Sequence, residues 1–359
     1  MIEYICLDCG MPYPADGLPY RCASCGGIFT LRGLRYDAGK KTGLPGMWAY
    51  RDLIARPDLP VCWLGEARTP LVERTVQGCR FYAKLESLNP SGSFKDRNAA
   101  ILTSQLLGRN VQRVVEDSSG NAGAALAFYS AAFGIESTIF VPQSANSPKI
   151  QQIVNCGSKL IRVPGPRQNA QNEVLRAAEN GFGSYASHAA LPFGMAAYAT
   201  IAFEIYEQLG RLPDKIYCPI GHGSLFFGIL LGFEAIAAFL GNAARPAMVG
   251  VQPAVCAPLA AAWKNQRFSY AGEPSLAEGA VIANPARGRE ILAALKPGVD
   301  DFAAIEEKEI ENAHSALMKN GVYVEATSAL VFAALKQAKD ADRACNVLIF
   351  TGNGLKSSR

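Results

Sequence analysis

The sequence lacks any run of basic residues that would form a phosphate-binding stripe, and its charges nearly balance. Thirty-five lysines and arginines stand against 31 aspartates and glutamates, which gives a net charge of +4. We therefore predict no nucleic-acid partner. The N-terminus, MIEYICLDCG, also lacks the basic segment, apolar segment and small-residue cleavage site of a signal peptide. We expect a cytoplasmic protein.

Uninterrupted apolar stretches long enough for a membrane are missing too. The most hydrophobic stretch, SLFFGILLGFEAIAAFLG at residues 224–241, contains Glu234 and three glycines. A buried helix explains it better than a membrane span, and we predict no membrane association. The chain has 359 residues, of which 49% are hydrophobic and 18% charged, so it can bury a large core divided between two main lobes.

Four of the ten cysteines are grouped near the N-terminus, and the other six are scattered singly. Cys6, Cys9, Cys22 and Cys25 follow the pattern C-x2-C-x12-C-x2-C, which is typical of a tetrahedral zinc site. The glycines after Cys9 and Cys25 allow tight turns around the sulfurs. Four thiolate ligands leave no open coordination position, so the predicted zinc is structural. A ribbon without its metal and a set of redox-active thiols are the alternatives.

Apolar segments and helical patterns alternate along most of the remaining chain. Residues 33–70, rich in Pro, Gly and Arg, read as a connection with short helices, and FYAKLE (81–86) begins the alternation. Three strand-and-helix pairs then follow: RVVE with NAGAALAFYSAAFG, STIFVP with SPKIQQIVNCG, and KLIRVPG with NAQNEVLRAAENG. A second set of strands comprises KIYCPI (215–220), AMVGVQP (247–253) and NVLIFTG (346–352). This order predicts α/β architecture, with parallel sheets covered by helices.

The segment SGSFKD, residues 91–96, places Lys95 at the start of a predicted helix. A lysine amine near the positive end of a helix dipole and partly removed from water is a candidate nucleophile. Taken alone, a solvated surface lysine explains this segment as well.

The segment SSGNAG, residues 118–123, closes a predicted strand and opens a helix. Ser118, Ser119 and Asn121, with the backbone N–H groups of Gly120 and Asn121, form a helix-start nest suited to a carboxylate or a polar ring substituent. An ordinary helix cap with a glycine turn is the alternative.

Two further glycine turns follow strands of the second set. In GHGSL, residues 221–225, Gly221 and Gly223 free the backbone, and Ser224 starts a long helix, which suits a small phosphate ester. The spacing is not that of a dinucleotide or nucleoside-triphosphate loop. His222 either touches the phosphate or faces solvent. In TGNGLK, residues 351–356, Thr351 presents a hydroxyl at a strand end, unless the segment is only a terminal turn.

Together, the residues, order and spacing of these four segments resemble the fold-type II pyridoxal-phosphate enzymes, in particular threonine synthase and its close relatives. The resemblance implies a tryptophan synthase β-like fold, with two open twisted sheets, helices on both faces of each, and the cofactor between two domains. It implies a zinc-ribbon segment at 1–33, a large cofactor-binding domain at 34–85 and 195–359, and a small substrate-side domain at 86–194.

The same resemblance assigns roles to individual residues. Lys95 would form the Schiff base with the cofactor, beside Phe94, and would carry the substrate's α-proton as a free amine. Asn121 would bond the phenolic oxygen and Thr351 the pyridine nitrogen. The phosphate would be held by Gly221, His222, Gly223, Ser224 and Leu225. The substrate would contact Ser118, Ser119, Gly120 and Lys149. EATSAL (325–330) resembles another family segment, with Ala326 in place of a proline.

The chain departs from threonine synthase where that family binds the substrate's phosphate. The expected arginine position falls at Gly194, and two further positions fall at Ala197 and Ala199. Lys149 and either Arg162 or Arg167 would compensate, unless these long cations are solvated surface residues. Ala122 also stands where many relatives carry a threonine.

Three functions therefore compete. The leading hypothesis is elimination of phosphate from O-phospho-L-homoserine and addition of water to give L-threonine. The second is a β-replacing synthase, or an ammonia lyase or dehydratase, acting on a smaller or non-phosphorylated amino acid. The third is a non-catalytic scaffold with a regulatory binding role. By the same resemblance, we expect a small amino-acid substrate and a homodimer.

Overall fold

The chain is described by a computed structural model that covers residues 2–339, 341 and 343–357, and it forms two compact units. The first unit contains the chain up to Ala67 together with Asn89–Ala197, and the second contains Arg68–Leu88 and Tyr198–Ser357. Residues 34–67, assigned to the large domain from the sequence, thus lie in the first unit. The predicted roles of the two domains remain predictions.

The regular elements follow in chain order. The strands are β1 (Glu3–Cys6), β2 (Phe29–Arg32), β3 (Leu71–Val76), β4 (Cys79–Leu85), β5 (Arg113–Glu116), β6 (Glu136–Pro142), β7 (Lys159–Val163), β8 (Ser184–Tyr185), β9 (Lys215–Pro219), β10 (Ala247–Pro253), β11 (Asp301–Ile305) and β12 (Asn346–Phe350). The helices are α1 (Arg51–Ile54), α2 (Lys95–Gly108), α3 (Asn121–Ala132), α4 (Pro148–Asn155), α5 (Arg167–Glu179), α6 (Phe193–Leu209), α7 (Ser224–Phe239), α8 (Pro258–Trp263), α9 (Gly288–Ala294), α10 (Glu307–Lys319) and α11 (Ala326–Gln337).

Two sheets lie in the first unit. Strands β1 and β2 pair antiparallel and form the cysteine ribbon, which we define as residues 2–32. The second sheet has the order β7-β6-β5-β8 and is parallel throughout. The three predicted strand-and-helix pairs correspond to β5 with α3, β6 with α4 and β7 with α5, so the predicted parallel sheet is confirmed. Its core includes Val115, Phe140, Val163, Val174 and Tyr185.

The second unit contains a six-stranded sheet in the order β11-β10-β9-β12-β4-β3. All neighbours are parallel except β3 and β4, which form an antiparallel hairpin. Its two-residue turn, Gln77 and Gly78, has φ values of 49° and 81°, the backbone twist that matches the flanking strands. Helix α11 packs in the main apolar cluster with Leu330, Phe332 and Leu335 fully buried.

The most hydrophobic stretch of the sequence is a buried helix, as predicted. Most of α7 is shielded from solvent, including Phe226, Ile229, Leu230 and Phe233 at 0% exposure. Within the part of the chain that the structure describes, no helix combines the length and apolarity needed to cross a membrane.

An ion pair is buried inside the second unit. Nζ of Lys84, on β4, donates to Oε2 of Glu204 on α6 at 2.7 Å, to the carbonyl oxygen of Thr69 at 2.7 Å and to Oε1 of Gln208 at 3.0 Å. The Lys84 and Glu204 side chains are 0% and 3% exposed. The backbone N–H of Arg68 donates to the other Glu204 oxygen at 2.9 Å. The two charges are thus paired, and hydrogen bonds compensate part of their desolvation.

Candidate active site

Lys95 is the first residue of α2, at the end of a tightly bonded turn. Gly92 has a φ of +86°, which only glycine adopts without strain. Asp96, in the first turn of the helix, accepts hydrogen bonds from the backbone N–H of Ser91 at 2.5 Å and from the Ser91 hydroxyl. Nζ of Lys95 lies 4.7 Å from the ring centroid of Phe94. The small polar residues before Lys95 therefore fix the turn that presents its amine.

A second group of polar side chains, which the sequence analysis missed, lies beside Lys95. Glu116 ends β5, and its Oε1 is 2.5 Å from Nδ1 of His188, which follows β8. Lys95, Glu116, His188 and Ala122 line one enclosed cavity of about 10 Å³. Burial raises the pKa of Glu116 to about 8, against the opposing charges of Arg167 and Lys95. A glutamate at the end of an otherwise apolar strand was the signal available in the sequence.

The predicted nest forms where β5 leads into α3. The Ser118 hydroxyl accepts the N–H of Gly120 at 3.3 Å, and Asn121 is the first residue of the helix. A Cβ on Gly123 would come within 2.0 Å of the Ser118 carbonyl oxygen, so the helix start packs tightly on the preceding loop. Ser118 is buried, whereas Ser119 and Asn121 are half-buried. The structure therefore forms the predicted turn, and its role as a carboxylate site remains a prediction.

The candidate cations for a substrate phosphate differ in their surroundings. Nη1 of Arg162 lies 3.1 Å and 2.8 Å from the carbonyl oxygens of Gln143 and Ala145. Lys149 is half-buried in the first turn of α4, and Arg167 is exposed at the start of α5. Arg167 acts electrostatically on Glu116 at the end of β5.

Gly194 cannot be replaced by a basic residue without displacing its neighbour. A Cβ at this position would come within 2.3 Å of Asn98 Oδ1. Ala197 and Ala199, also on α6, are both 0% exposed. The start of α6 thus supplies no cation, in agreement with the departure found in the sequence.

The predicted phosphate turn lies in the second unit, between β9 and α7. Gly223 has a φ of +98°, and a Cβ there would come within 2.6 Å of Ile291 Cδ1. A Cβ on Gly221 would come within 2.6 Å of the carbonyl oxygen of Gly279. The first N–H groups of a helix have no partner within that helix, and its dipole favours an anion there.

The side chains of this turn supply a polar group and are themselves shielded from solvent. Ser224 is 6% exposed, and its hydroxyl has no hydrogen-bond partner among the described residues. Leu225 is equally buried. His222 accepts the N–H of Arg287 at 2.9 Å through its carbonyl oxygen, which holds the turn in place.

Thr351 and the segment EATSAL meet at the end of β12. The Thr351 hydroxyl donates to Oε1 of Glu325 at 3.0 Å, and Ser328 Oγ lies 3.0 Å from Thr351 Oγ1. Ser328 Oγ also accepts the N–H of Thr351 at 2.9 Å. A Cβ on Gly352 would come within 2.4 Å of the Glu325 side chain. Ala326 is the first residue of α11, a position that favours proline but tolerates alanine.

These groups fit the chemistry of pyridoxal phosphate. The turn at residues 221–225 offers backbone amides at a helix start and a buried serine hydroxyl, the donors that an anionic phosphate requires, and its two glycines pack closely against neighbouring protein atoms. Lys95 supplies an amine at the end of a rigid helix, and Thr351 a buried hydroxyl. The residues present therefore suit the cofactor that the sequence resemblance implied.

The ribbon brings its four cysteines together. Their sulfur atoms lie within 4.8 Å of one another, with separations of 3.4 Å for Cys6 and Cys25, 3.6 Å for Cys9 and Cys22, and 3.5 Å for Cys9 and Cys25. Tetrahedral zinc with Zn–S bonds of about 2.3 Å places sulfurs about 3.8 Å apart. Gly10 and Gly26, after Cys9 and Cys25, have φ values of +74° and +73°. The four thiols are thus arranged as a tetrahedral metal site requires.

Arg109, the residue after α2, fastens the ribbon to that helix. Its Nη1 lies 2.9 Å, 2.5 Å and 3.1 Å from the carbonyl oxygens of Pro14, Ala15 and Gly17. Its guanidinium also lies 5.1 Å from the ring centroid of Tyr13. One side chain therefore joins the ribbon loop to the helix that begins at Lys95.

We expect Arg109→Ala to loosen the ribbon while the rest of the chain stays folded. Each hydrogen bond from a charged donor contributes about 1.5–3 kcal/mol, so local opening should become at least about tenfold more frequent. Limited proteolysis followed by mass spectrometry would show faster cleavage within residues 2–32. Arg113→Ala, which removes an exposed ion pair with Glu136, is the control. Equal cleavage rates in both variants would contradict this role of Arg109.

Comparison with known proteins identifies the family of the chain. Residues 62–352 match the family model described as pyridoxal-phosphate dependent enzyme. The chain is 28% identical over 356 residues to the threonine synthase of Methanosarcina acetivorans, covering 95% of this chain and 87% of the relative. It is 30% identical over 308 residues to the threonine synthase of Synechocystis sp., covering 83% and 79%.

A solved structure has the same fold at lower sequence identity. The processed form of threonine deaminase isoform 2 from Solanum lycopersicum superposes with a TM-score of 0.67 at 20% identity, covering 95% of this chain and 92% of that chain. The chain belongs to the family of pyridoxal-phosphate-dependent enzymes and has the fold-type II architecture. Its sequence is threonine synthase-like over most of its length.

Proposed function

We propose that this enzyme eliminates phosphate from O-phospho-L-homoserine and adds water at the β-carbon, which gives L-threonine. The observation that carries the proposal is the similarity to threonine synthases over 95% of the chain, with Lys95, Asn121 and Thr351 at the expected turns. An enzyme that catalyses this reaction is a carbon–oxygen lyase. The intact Lys95, Asn121 and Thr351 argue against a non-catalytic scaffold.

The proposed roles are those that the family resemblance implies for each residue. Lys95 links the cofactor and, as a free amine, moves the proton at the substrate's α-carbon. Ser118, Ser119 and the N–H of Gly120 bind the α-carboxylate at the start of α3, where the helix dipole favours a negative group. Asn121 orients the ring of the cofactor beside Phe94. When bound, pyridoxal phosphate supplies the electron sink for charge that develops on the substrate carbons.

Residues of the second unit hold the other parts of the cofactor in this proposal. Backbone N–H groups of residues 221–225 and the Ser224 hydroxyl bind its phosphate. Thr351 contacts the pyridine nitrogen through its hydroxyl, which Glu325 and Ser328 orient. A large cofactor-binding domain and a small substrate-side domain, as expected from the sequence, are part of the same proposal.

Lys149 and Arg167 are proposed to hold the phosphate of the substrate. Because Gly194, Ala197 and Ala199 carry no charge, these cations are needed opposite a dianion. Arg162 is less suited, since its guanidinium already bonds the carbonyl oxygens of the 143–145 loop.

The direct test is incubation of the holoenzyme with O-phospho-L-homoserine. We expect equal amounts of L-threonine and inorganic phosphate, measured by chromatography and a phosphate assay. Arg167→Ala and Lys149→Ala should each raise the KM for this substrate about tenfold or more, because one charged hydrogen bond to phosphate is lost. Lys159→Ala, at an exposed position on β7, is the matched control. Absence of both products from wild-type enzyme would exclude the proposed reaction.

A second candidate is favoured by the uncharged start of α6. The close contact of Gly194 with Asn98 and the complete burial of Ala197 and Ala199 suit a smaller or non-phosphorylated amino acid. In that case the enzyme is a β-replacing synthase, an ammonia lyase or a dehydratase. A panel containing serine, threonine, diaminopropionate and O-acetylserine, assayed for 2-oxo acid, ammonia and acetate, separates the two candidates.

Three further properties complete the proposal. The four ribbon cysteines bind one structural zinc ion, which metal analysis of the purified protein would measure. The enzyme is a homodimer, testable by sedimentation equilibrium. It acts in the cytoplasm on a small amino acid, without a nucleic-acid partner.

A further inference from the structure

The carboxyl group of Glu116 is buried with one oxygen paired and the other not. Oε1 lies 2.5 Å from Nδ1 of His188. Oε2 is buried and has no hydrogen-bond partner among the residues that the structure describes. Glu116 is 1% exposed and lines, with His188, the cavity of about 10 Å³ that Lys95 also lines. An unpaired buried carboxyl oxygen costs stability, so this arrangement requires a reason beyond folding.

Burial favours the uncharged forms of both side chains in this pair. The pKa of Glu116 is raised to about 8 by burial, with Arg167 and Lys95 acting in the opposite direction. The pKa of His188 is lowered well below its ordinary value by burial and then by the charge of Lys95. The carboxyl group of Glu116 therefore loses its proton at a higher pH than an ordinary glutamate, beside an imidazole that stays neutral.

The other charged groups around the pair come from neighbouring elements of the same unit. Asp117, the next residue, has its pKa raised by burial and then by Glu116, and its Oδ1 accepts the Tyr185 hydroxyl at 2.6 Å. Arg167, on α5, acts on Glu116, Asp117 and His188. Lys95, on α2, acts on Glu116 and His188, whereas the largest influences on Asp117 after burial are Glu116, Tyr185 and Arg167.

The proposed reaction makes this coupling useful. Elimination at the γ-carbon followed by hydration at the β-carbon requires proton removal from two neighbouring carbons of one substrate. A single amine that serves both positions must release the first proton before it accepts the second. A buried group beside Lys95 that accepts and returns one proton meets that requirement.

We propose that Glu116 and His188 form a proton-exchange pair for Lys95. The N–H bond of the Lys95 ammonium breaks and an O–H bond forms on Oε2 of the Glu116 carboxylate, while the neutral His188 imidazole keeps its hydrogen bond from Nδ1 to Oε1. One cation and one anion become two neutral groups, which a buried site favours. The reverse step returns the proton to the amine. This inference deepens the proposed function and rests on it, but its test needs no substrate.

The test follows the protonation of Lys95 in the full-length chain freed of cofactor. Acetylation of Lys95 by acetic anhydride is measured against pH by peptide mass spectrometry. The Glu116 carboxylate favours the ammonium form, so Glu116→Gln should lower the pH midpoint of acetylation by about one unit or more. Asp117→Asn removes an equally buried neighbouring carboxyl that pairs with Tyr185, and it should leave the midpoint nearly unchanged. An unchanged midpoint in Glu116→Gln, or an equal shift in both variants, overturns the proposal.

His188→Gln provides a second variant if Glu116→Gln does not fold, as circular dichroism would show. The amide N–H of glutamine is a weaker hydrogen-bond donor than the imidazole N–H, so the Glu116 carboxylate is less stabilised and the Lys95 midpoint should fall. A rise would overturn the proposal. In the reciprocal measurement, Lys95→Met removes a cation, and the infrared carboxyl band of Glu116 should persist to higher pH. A band that titrates as in wild type would contradict the coupling.

Activity of the holoenzyme separates proton exchange from a structural role. Glu116→Gln should lower kcat at least about tenfold with little change in KM, and the limb of the pH profile near pH 8 should disappear. A lower kcat with an unchanged pH profile counts against the proposal. Acetylation is measured without substrate, so its result is independent of the proposed reaction. An enzyme that is inactive on O-phospho-L-homoserine can still show the shifted acetylation midpoint, and an active enzyme can lack that shift.

Discussion

Replacing Lys95 by alanine should lower kcat by about 1000-fold or more and abolish covalent attachment of the cofactor. The amine is lost both as the linking group and as the acid or base at the α-carbon, and general acid–base catalysis alone contributes roughly 100- to 10,000-fold. Turnover is measured with the holoenzyme. Borohydride reduction and peptide mass spectrometry show whether residue 95 carries a pyridoxyl group.

Lys159→Ala is the appropriate comparison for this variant. Lys159 is an exposed lysine of β7 that lies over the ring of Phe182 at 5.6 Å and has no assigned role in the reaction. Its removal should leave both turnover and the pyridoxyl adduct intact. If Lys95→Ala kept the yellow chromophore and its turnover, the cofactor assignment and the mechanism built on it would be wrong.

Replacing Lys84 by methionine should cause a large loss of stability in the second unit. The substitution leaves Glu204 ionised and buried, with the Arg68 N–H as its remaining bonded partner among those described above. Removing one partner of a buried ion pair costs about 3–5 kcal/mol. The free energy of unfolding is measured by urea denaturation at pH 7, followed by circular dichroism.

Two further variants test whether the loss of stability comes from the unpaired charge of Glu204. Lys308→Met breaks an exposed pair with Glu311 and should have little effect on the free energy of unfolding. In the double variant Lys84→Met/Glu204→Leu, neither charge remains in the interior, so much of the lost stability should return. A double variant less stable than Lys84→Met would contradict this explanation.

The sequence predicted the strands that are marked by contiguous apolar residues and flanking turns. β5, β6, β7, β9, β10 and β12 are apolar runs between glycine- or proline-rich turns, and each was recognised. The two-residue strand β8 and the antiparallel hairpin partner β3 were not, because their pairing is set by neighbours distant in sequence. The turn at Lys95 was equally accessible, since Gly92 and Asp96 define it within a few residues.

The Glu116–His188 pair shows why part of the site could not be predicted. The two residues are 72 positions apart, and their contact depends on β8 lying next to β5 in the sheet. Val115 is paired with Tyr185, which brings Glu116, the last residue of β5, close to the segment that follows β8. No periodicity or motif encodes that strand order. By contrast, Thr351 and EATSAL were each recognised by family resemblance, but the contact between them was not predicted.

The attachment of the ribbon through Arg109 affects how metal-depletion experiments are interpreted. Arg109 follows the last turn of α2, and Lys95 opens the same helix, so the two lie at opposite ends of a rod about 20 Å long. Loss of structure in the ribbon can therefore displace helix α2 and, with it, the amine of Lys95. An enzyme inactivated by a chelator would be evidence of mechanical dependence on the ribbon, and would not by itself place zinc among the reacting groups.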